Sequence, residues 1–541
     1  METDPKTGEG IAAEARADAP LLAMRLRAND TESTAVWKKN FAAVAEHPGC
    51  CDEIWFSTGC GAPSLEWHRA HAAVLAGAMA DARAAGIVPS LQFQATLGHG
   101  DEIGTPEMFA RKTWTGWTDW KGFETRYCSC PRQPAFLAYL RKVSEVYAPL
   151  GFAGLWIDDD LRIWHHPPAD SYGRHVGCWC GTCLSAFNAE TGAAWTREAL
   201  AKAVETDDAL FARWRAFSVD GLRLVARAIA ETFRERAPDT MMALQQASRD
   251  DCVEEAIAVT KVLHEVSGRP VGLRPGGGTY YDDDPNGVVL KSISAGRFRR
   301  LLGDPGWVKV WTPEIESWPR TYYSRSPQGV LAEGFAALMY GMDSVSFFVS
   351  NIAMEEPSLY GRTFWKPLAE AAPVLRGYAK AIAGCTAVGF AMPGEPKIGI
   401  RRAAIPVLAG PGRSFGDLTE ADCARDVNGM TSAEVQALRD DLDRRAGGLP
   451  ALVRSPFSGL AQTHVDAAGA FRCLALLNTR IAEQGPVRIR LRGVPPERTT
   501  IIWNELRRGP VELAVEKAGE ESFATIPAIG AWNGGYLCWK S

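Results

Sequence analysis

From residue 21 onward, short apolar runs alternate with longer segments whose apolar residues return every three or four positions. "LLAMRLR" (21–27) precedes a helical pattern near 35–46, and "DEIWFST" (52–58) precedes one over 64–85. "GIVPSLQF" (86–93) leads, after a long segment, to 134–148, and "FAGLWIDD" (152–159) leads to 209–235. "TMMALQQA" (240–247) precedes 251–264, and "PVGLRPG" (270–276) precedes 290–302. "WVKVWTPEIE" (307–316) precedes 327–341, and "DSVSFFVS" (343–350) precedes 365–383. The pattern predicts eight strand–helix pairs.

Alternating strands and helices imply a parallel sheet, and apolar β-branched strands imply burial on both faces. Eight pairs over about 365 residues fit a (β/α)8 TIM barrel with enlarged loops. The alternative is a doubly wound open sheet. No glycine-rich phosphate turn follows the first strand, which weakens a dinucleotide-binding reading. After about residue 386 the pattern changes. The expected order is a flexible leader over 1–20, the barrel over 21–385, a small α/β domain over 386–465 and an antiparallel β-sandwich over 466–541. The helix "SAEVQALRDDLDRRAG" (432–447) marks the third part, and runs such as "FRCLALLN" and "GGYLCW" mark the last.

The bulk composition excludes more than it selects. A net charge of -5 argues against a nucleic-acid partner. No apolar run is long enough for a membrane span. The leader lacks the apolar centre of a signal peptide, so a cytoplasmic location is expected. Thirteen cysteines at irregular spacing do not read as a disulfide framework.

In barrels of this kind, active sites lie at the C-terminal strand ends. Strand 4 ends in Asp158, Asp159 and Asp160, and strand 7 ends in Glu314 and Glu316. Residues two apart in a strand share a face. Asp158 and Asp160 are therefore expected to point together, and so are Glu314 and Glu316. Carboxylates from opposite sides of one mouth can flank a glycosidic bond, one protonating the leaving oxygen and the other attacking or activating water. A divalent-metal site and helix capping are the other readings of the aspartates. Polar and aromatic side chains at other strand ends and loops suit a hydroxyl-rich ligand. They include Arg25, Gln94 with His99 beyond it, Trp164, Gln245, Trp318 and Asn351. No organic cofactor is expected.

"CWCGTC" places Cys178, Cys180 and Cys183 at C-x-C-x-x-C, a metal-type spacing, and thiolates select zinc. A fourth ligand is available from "RYCSCP", which holds Cys128 and Cys130.

These segments resemble the β-galactosidases of glycoside hydrolase family 42. The likeness rests on "YCSCPRQPAF", "WIDDD", "CWCGTCLSAF", "EIESWPRTYYSRSP" and "GFAALMYGMDSVSFF", and covers residues 120–380. It implies a structural zinc on Cys128, Cys178, Cys180 and Cys183. It also implies Asp160 as acid/base, Glu316 as nucleophile with Glu314 second, a retaining mechanism, and a homo-oligomer, as a trimer. The chain departs from the family in having Asp160 where the family has Glu, and Asp159 where it has Asn. The shorter arm moves the carboxyl by about 1.5 Å. A barrel that binds carbohydrate without cleaving it, and a metal-dependent lyase or isomerase using Asp158 to Asp160, are the competing functions.

Overall fold

The computed structural model describes residues 21–102, 104, 113–303, 305–349, 356–394, 398–519 and 521–540. The expected leader and Asn351 lie outside the described residues.

Eight parallel strands form the barrel: β1 (Leu22–Arg25), β2 (Glu53–Ser57), β3 (Val88–Phe93), β4 (Gly154–Ile157), β5 (Met241–Ala247), β6 (Val271–Gly276), β7 (Val308–Trp311 and Glu314–Glu316) and β8 (Val345–Phe348). The helices following them are α1 (Thr34–Ala45), α2 (Leu65–Ala84), α3 (Pro134–Tyr147), α4 (Asp208–Arg236), α5 (Val253–Ser267), α6 (Pro285–Leu301), α7 (Pro327–Met339) and α8 (Lys366–Ile382). The sixth helix starts earlier than its apolar pattern, because Asp284 caps it by accepting from Gly287 N at 3.0 Å.

The strands neighbour one another in chain order, and β8 pairs with β1. One strand expected over 307–316 is broken in two. Its first segment pairs with β6 and its second with β8, which closes the ring. Pro313 sits at the break and has no N–H to give the β6 side. Its carbonyl accepts from Ser346 N of β8 at 3.0 Å.

The strands fill the barrel in layers. Ala23, Trp55, Trp156 and Ala243 form one layer, with the two indoles stacked at 4.0 Å. Two positions further along β1, β4 and β5 come Arg25, Asp158 and Gln245, so a polar layer rests directly on the tryptophans. The loops after β3 and β4 are long. The first carries a hairpin (Gly116–Thr118 with Glu124–Ser129), the second two helices (Gly181–Thr191 and Arg197–Val204). Trp179 N donates to Thr118 O at 2.8 Å and ties the two insertions together.

Residues 386 onward form an eight-stranded mixed sheet and a four-stranded antiparallel one. The expected division at residue 465 runs through the larger sheet, where Gly459–Val465 and Phe471–Asn478 pair along their length. One end of that sheet carries the helix Ser432–Arg445, and the other is covered by the smaller sheet. The helix is thus an insertion packed on a shared sheet. The other face of the sheet meets the barrel. There α7 is buried from Val330 to Met339, apolar on nearly all sides, with its one charge, Glu333, paired to Arg325. No helix among the described residues is long and apolar enough to cross a membrane.

Candidate active site

The polar layer is a chain of buried donors and acceptors. Arg25 Nε donates to Gln92 Oε1 at 3.1 Å, and Gln92 Nε2 donates to Asp158 Oδ2 at 2.7 Å. Gln245 Oε1 accepts from Arg274 Nε at 3.0 Å and Nη2 at 2.7 Å. Glu314 accepts from Arg25, pairs with Arg274 at 3.2 Å, and accepts from Gly277 N at 3.2 Å. Burial pushes the Glu314 carboxyl up, but Arg274, Arg25 and Lys291 outweigh it and hold it well below the usual range. Burial, with the charges of Asp160 and Asp159, pushes Asp158 up to about 7. Asp158 and Glu314 therefore anchor the floor of the site.

Above that floor stand Glu316 and Asp159. Glu316 Oε1 accepts from Arg320 Nη1 at 2.5 Å, and among the described residues no hydrogen bond reaches Oε2. Burial and the Glu314 charge raise its carboxyl, with Arg320 opposing them. Asp159, its side chain 23 % exposed, lies 3.5 Å from Arg274 Nη1. The same guanidinium nitrogen thus bridges Asp159 and Glu314. Tyr280, on the loop after β6, feels the charges of Glu316, Glu314 and Asp159 together.

Asp160 lies beyond the end of β4, with its carboxyl still beside that of Asp158. The strand stops at Ile157, and Leu161 N donates to Asp158 O at 3.1 Å in a turn. Strand alternation therefore no longer governs Asp160. Its side chain is buried and engaged by His99 Nδ1 at 2.8 Å, Arg162 Nη2 at 3.2 Å and the Cys60 thiol at 3.6 Å. Burial opposes ionisation there, but His99, Arg162 and His165 hold the carboxyl well below its ordinary range. The three aspartates offer oxygens within 4.8 Å of one another. Each already has an amide, guanidinium or imidazole partner, which is the chemistry of an ion-pair network more than of a divalent-cation cage.

The remaining candidates separate. Gln94 is half-buried and accepts from Ser57. Trp318 is 39 % exposed, with the Arg320 guanidinium 4.5 Å from its ring centroid. Trp164 is buried under Arg162 at 4.2 Å and, with Tyr172 and Phe211, lines a cavity of about 730 Å³ against α4 and α5. Arg274, Arg162 and Arg320 were missed. The one available signal was Arg274, a lone charge inside the apolar run "VGLRPG".

Four cysteine sulfurs gather within 4.8 Å of one another: Cys130, Cys178, Cys180 and Cys183. Cys130 lies 3.5 Å from both Cys180 and Cys183, and all four residues are buried and free of disulfides. The fourth sulfur of the cluster is thus that of Cys130, where Cys128 was expected. The hairpin strand ends at Ser129 before Pro131, so Cys130 turns away from Cys128, whose thiol donates to Gly98 O at 3.6 Å. Four sulfurs at ~2.3 Å from a tetrahedral zinc would sit about 3.8 Å apart. The cluster fits that donor set.

No protein-family model and no curated protein matches the chain. Solved structures do. A GH42 β-galactosidase from G. stearothermophilus, solved as a catalytic mutant, matches over 96% of this chain and 98% of its own, at 10% identity and a TM-score of 0.56. A β-galactosidase from the Antarctic haloarchaeon Halorubrum lacusprofundi matches over 96% and 99%, at 14% identity and 0.53. One from Bacillus circulans sp. alkalophilus matches over 96% and 99%, at 12% identity and 0.50. At these identities the likeness is one of fold, and it extends through the C-terminal sheets as well as the barrel.

Proposed function

We propose that this chain is a glycoside hydrolase that cleaves O-glycosidic bonds at the C-terminal mouth of its barrel. The observation that carries this reading is the Glu316 carboxyl. It ends β7 with one oxygen fixed by Arg320 and the other unclaimed among the described residues, beside a floor of ionised Glu314, Arg25 and Arg274. A nucleophile needs one oxygen oriented and one free. Glu314 has both oxygens engaged and serves as support. Glu316 attacks the anomeric carbon, and a proton donor on the β3–β4 side releases the leaving oxygen, which is a retaining mechanism. Asp159, at the rim, hydrogen-bonds a sugar hydroxyl.

Because three solved structures of this shape are β-galactosidases, aryl β-galactosides head the panel of substrates to test. The same reading includes a structural zinc on Cys130, Cys178, Cys180 and Cys183, which would staple the loops after β3 and β4. Purified protein should hydrolyse at least one nitrophenyl glycoside in a panel of sugars and anomers, and Glu316→Gln should lower kcat by about 10³-fold or more, because the covalent intermediate is lost. A wild type that cleaves none of them, or a Glu316→Gln protein as fast as wild type, would refute the proposal.

A further inference from the structure

We propose that His99, and not Asp160, gives and takes the proton in this reaction, with Asp160 as the residue that positions it. The inference rests on the glycosidase reading. Asp160, only 1 % exposed, has one oxygen held by His99 and Arg162 and the other facing the Cys60 thiol. It is placed to orient an imidazole, as a buried carboxylate does for a catalytic histidine. The His99 side chain, by contrast, is 39 % exposed. With Nδ1–H given to Asp160, Nε2 points elsewhere and has no hydrogen bond among the described residues.

The ring is fixed by more than that bond. It stacks on His166 with centroids 4.6 Å apart, and the backbone carbonyl of His99 accepts from Arg162 Nη2 at 3.0 Å. Its backbone is held between Gly98 and Gly100. Gly98 has φ of +99°, and a Cβ there would lie 2.4 Å from Tyr127 O, so only glycine fits. His99 follows β3 and Glu316 ends β7. In a ring of eight strands these stand opposite each other, so a sugar in the mouth would lie between them.

Among the described residues, the titratable and charged groups facing His99 are Asp160, Asp159, Arg162, His165, His166 and Cys60. Burial and Arg162 disfavour the imidazolium, but Asp160 and Asp159 favour it, and the balance lies above an ordinary histidine. In the first step imidazolium Nε2–H protonates the leaving oxygen as the C–O bond breaks and a Glu316 oxygen bonds to the anomeric carbon. In the second, neutral His99 takes a proton from water as the water oxygen bonds to that carbon and the Glu316 ester breaks. His99 ends as imidazolium and Glu316 as carboxylate, so protons and charges balance.

His99→Gln keeps a donor for Asp160 and cannot supply an acidic proton. It should slow a phenyl glycoside by about 10²–10⁴-fold, yet change a dinitrophenyl glycoside, whose leaving group needs no proton, by only a few-fold. Asp160→Asn should move the basic limb of the phenyl-glycoside pH profile to lower pH, because activity falls as the imidazolium is lost and the carboxylate no longer supports it. Imidazole NMR titration should give His99 a pKa that drops in Asp160→Asn. If His99→Gln cleaves both substrates at wild-type rates while Glu316→Gln is dead, His99 is not the donor and the glycosidase reading stands. If Asp160→Asn leaves the His99 titration unmoved, the positioning role fails. A wild type that cleaves no glycoside overturns both.

Discussion

Arg274 shows how much one residue can decide. Its guanidinium is buried and serves Gln245, Glu314 and Asp159 at once. Replacing it with methionine strands a buried charge. Removing one partner of a buried pair typically costs about 3–5 kcal/mol. Arg274→Met should lower the urea midpoint accordingly, while Asp159→Asn, at the partly exposed rim, should barely move it. Gly98→Ala should place strain of about 1–3 kcal/mol in the His99 loop, measurable as a lower Tm together with slower cleavage of poor leaving groups. At this scale the sequence was legible only while a strand lasted. The spacing of two put Glu314 and Glu316 on one strand end correctly. The Asp158 and Asp160 carboxyls do gather, but β4 stops at Ile157 and a turn places the second one, so strand spacing is not what sets it. Nothing local in "LGHG" announced that His99 would meet a carboxylate 61 positions away.

The elements that hold the site are the two insertions after β3 and β4. The hairpin strand Glu124–Ser129 is bonded to the His99 loop through Ser129 N and Leu97 O at 2.7 Å, and Cys130 follows it directly. The thiol cluster therefore supports the loop that carries His99. About one zinc per chain is expected for a single four-thiolate site. Cys130→Ser should lose the metal and Cys128→Ser should keep it, as measured by elemental analysis of purified protein. The opposite pattern would restore Cys128 as the ligand. Chelation should slow poor-leaving-group substrates and expose residues 113–133 to protease. C-x-C-x-x-C pointed to the cluster from sequence. The choice of fourth sulfur depended on where a three-dimensional strand ends, which spacing alone does not fix. Strand 7 was likewise predicted whole, since the switch of partners at Pro313 depends on ring closure and leaves no periodicity to read.

At the scale of the whole molecule, the barrel and the C-terminal sheets are one packed body. A Cβ at Gly534 would come 2.9 Å from Phe335 of α7, and Tyr378 of α8 lies 5.4 Å from Tyr536 between ring centroids. Residues 21–385 alone would expose that apolar face and should aggregate, while the full chain should melt in one transition. The homo-oligomer implied by the family resemblance should show in light scattering as a multiple of the 58.8 kDa chain; a single-chain mass would contradict it. Eight strand–helix pairs were readable because each strand is apolar and the helices carry apolar residues at a three-to-four-residue spacing. The shared eight-stranded sheet was not, because its strands come from both sides of an inserted helix. The proposed mechanism requires Glu316 to form a covalent bond to sugar. Trapping with a 2-deoxy-2-fluoro glycosyl fluoride of the sugar that the nitrophenyl panel selects, followed by peptide mass spectrometry, tests it most directly. One sugar per chain is expected on the peptide containing Glu316, and none in Glu316→Gln. A label on Glu314 or Asp159, or turnover of that sugar with no trapped adduct, would contradict it.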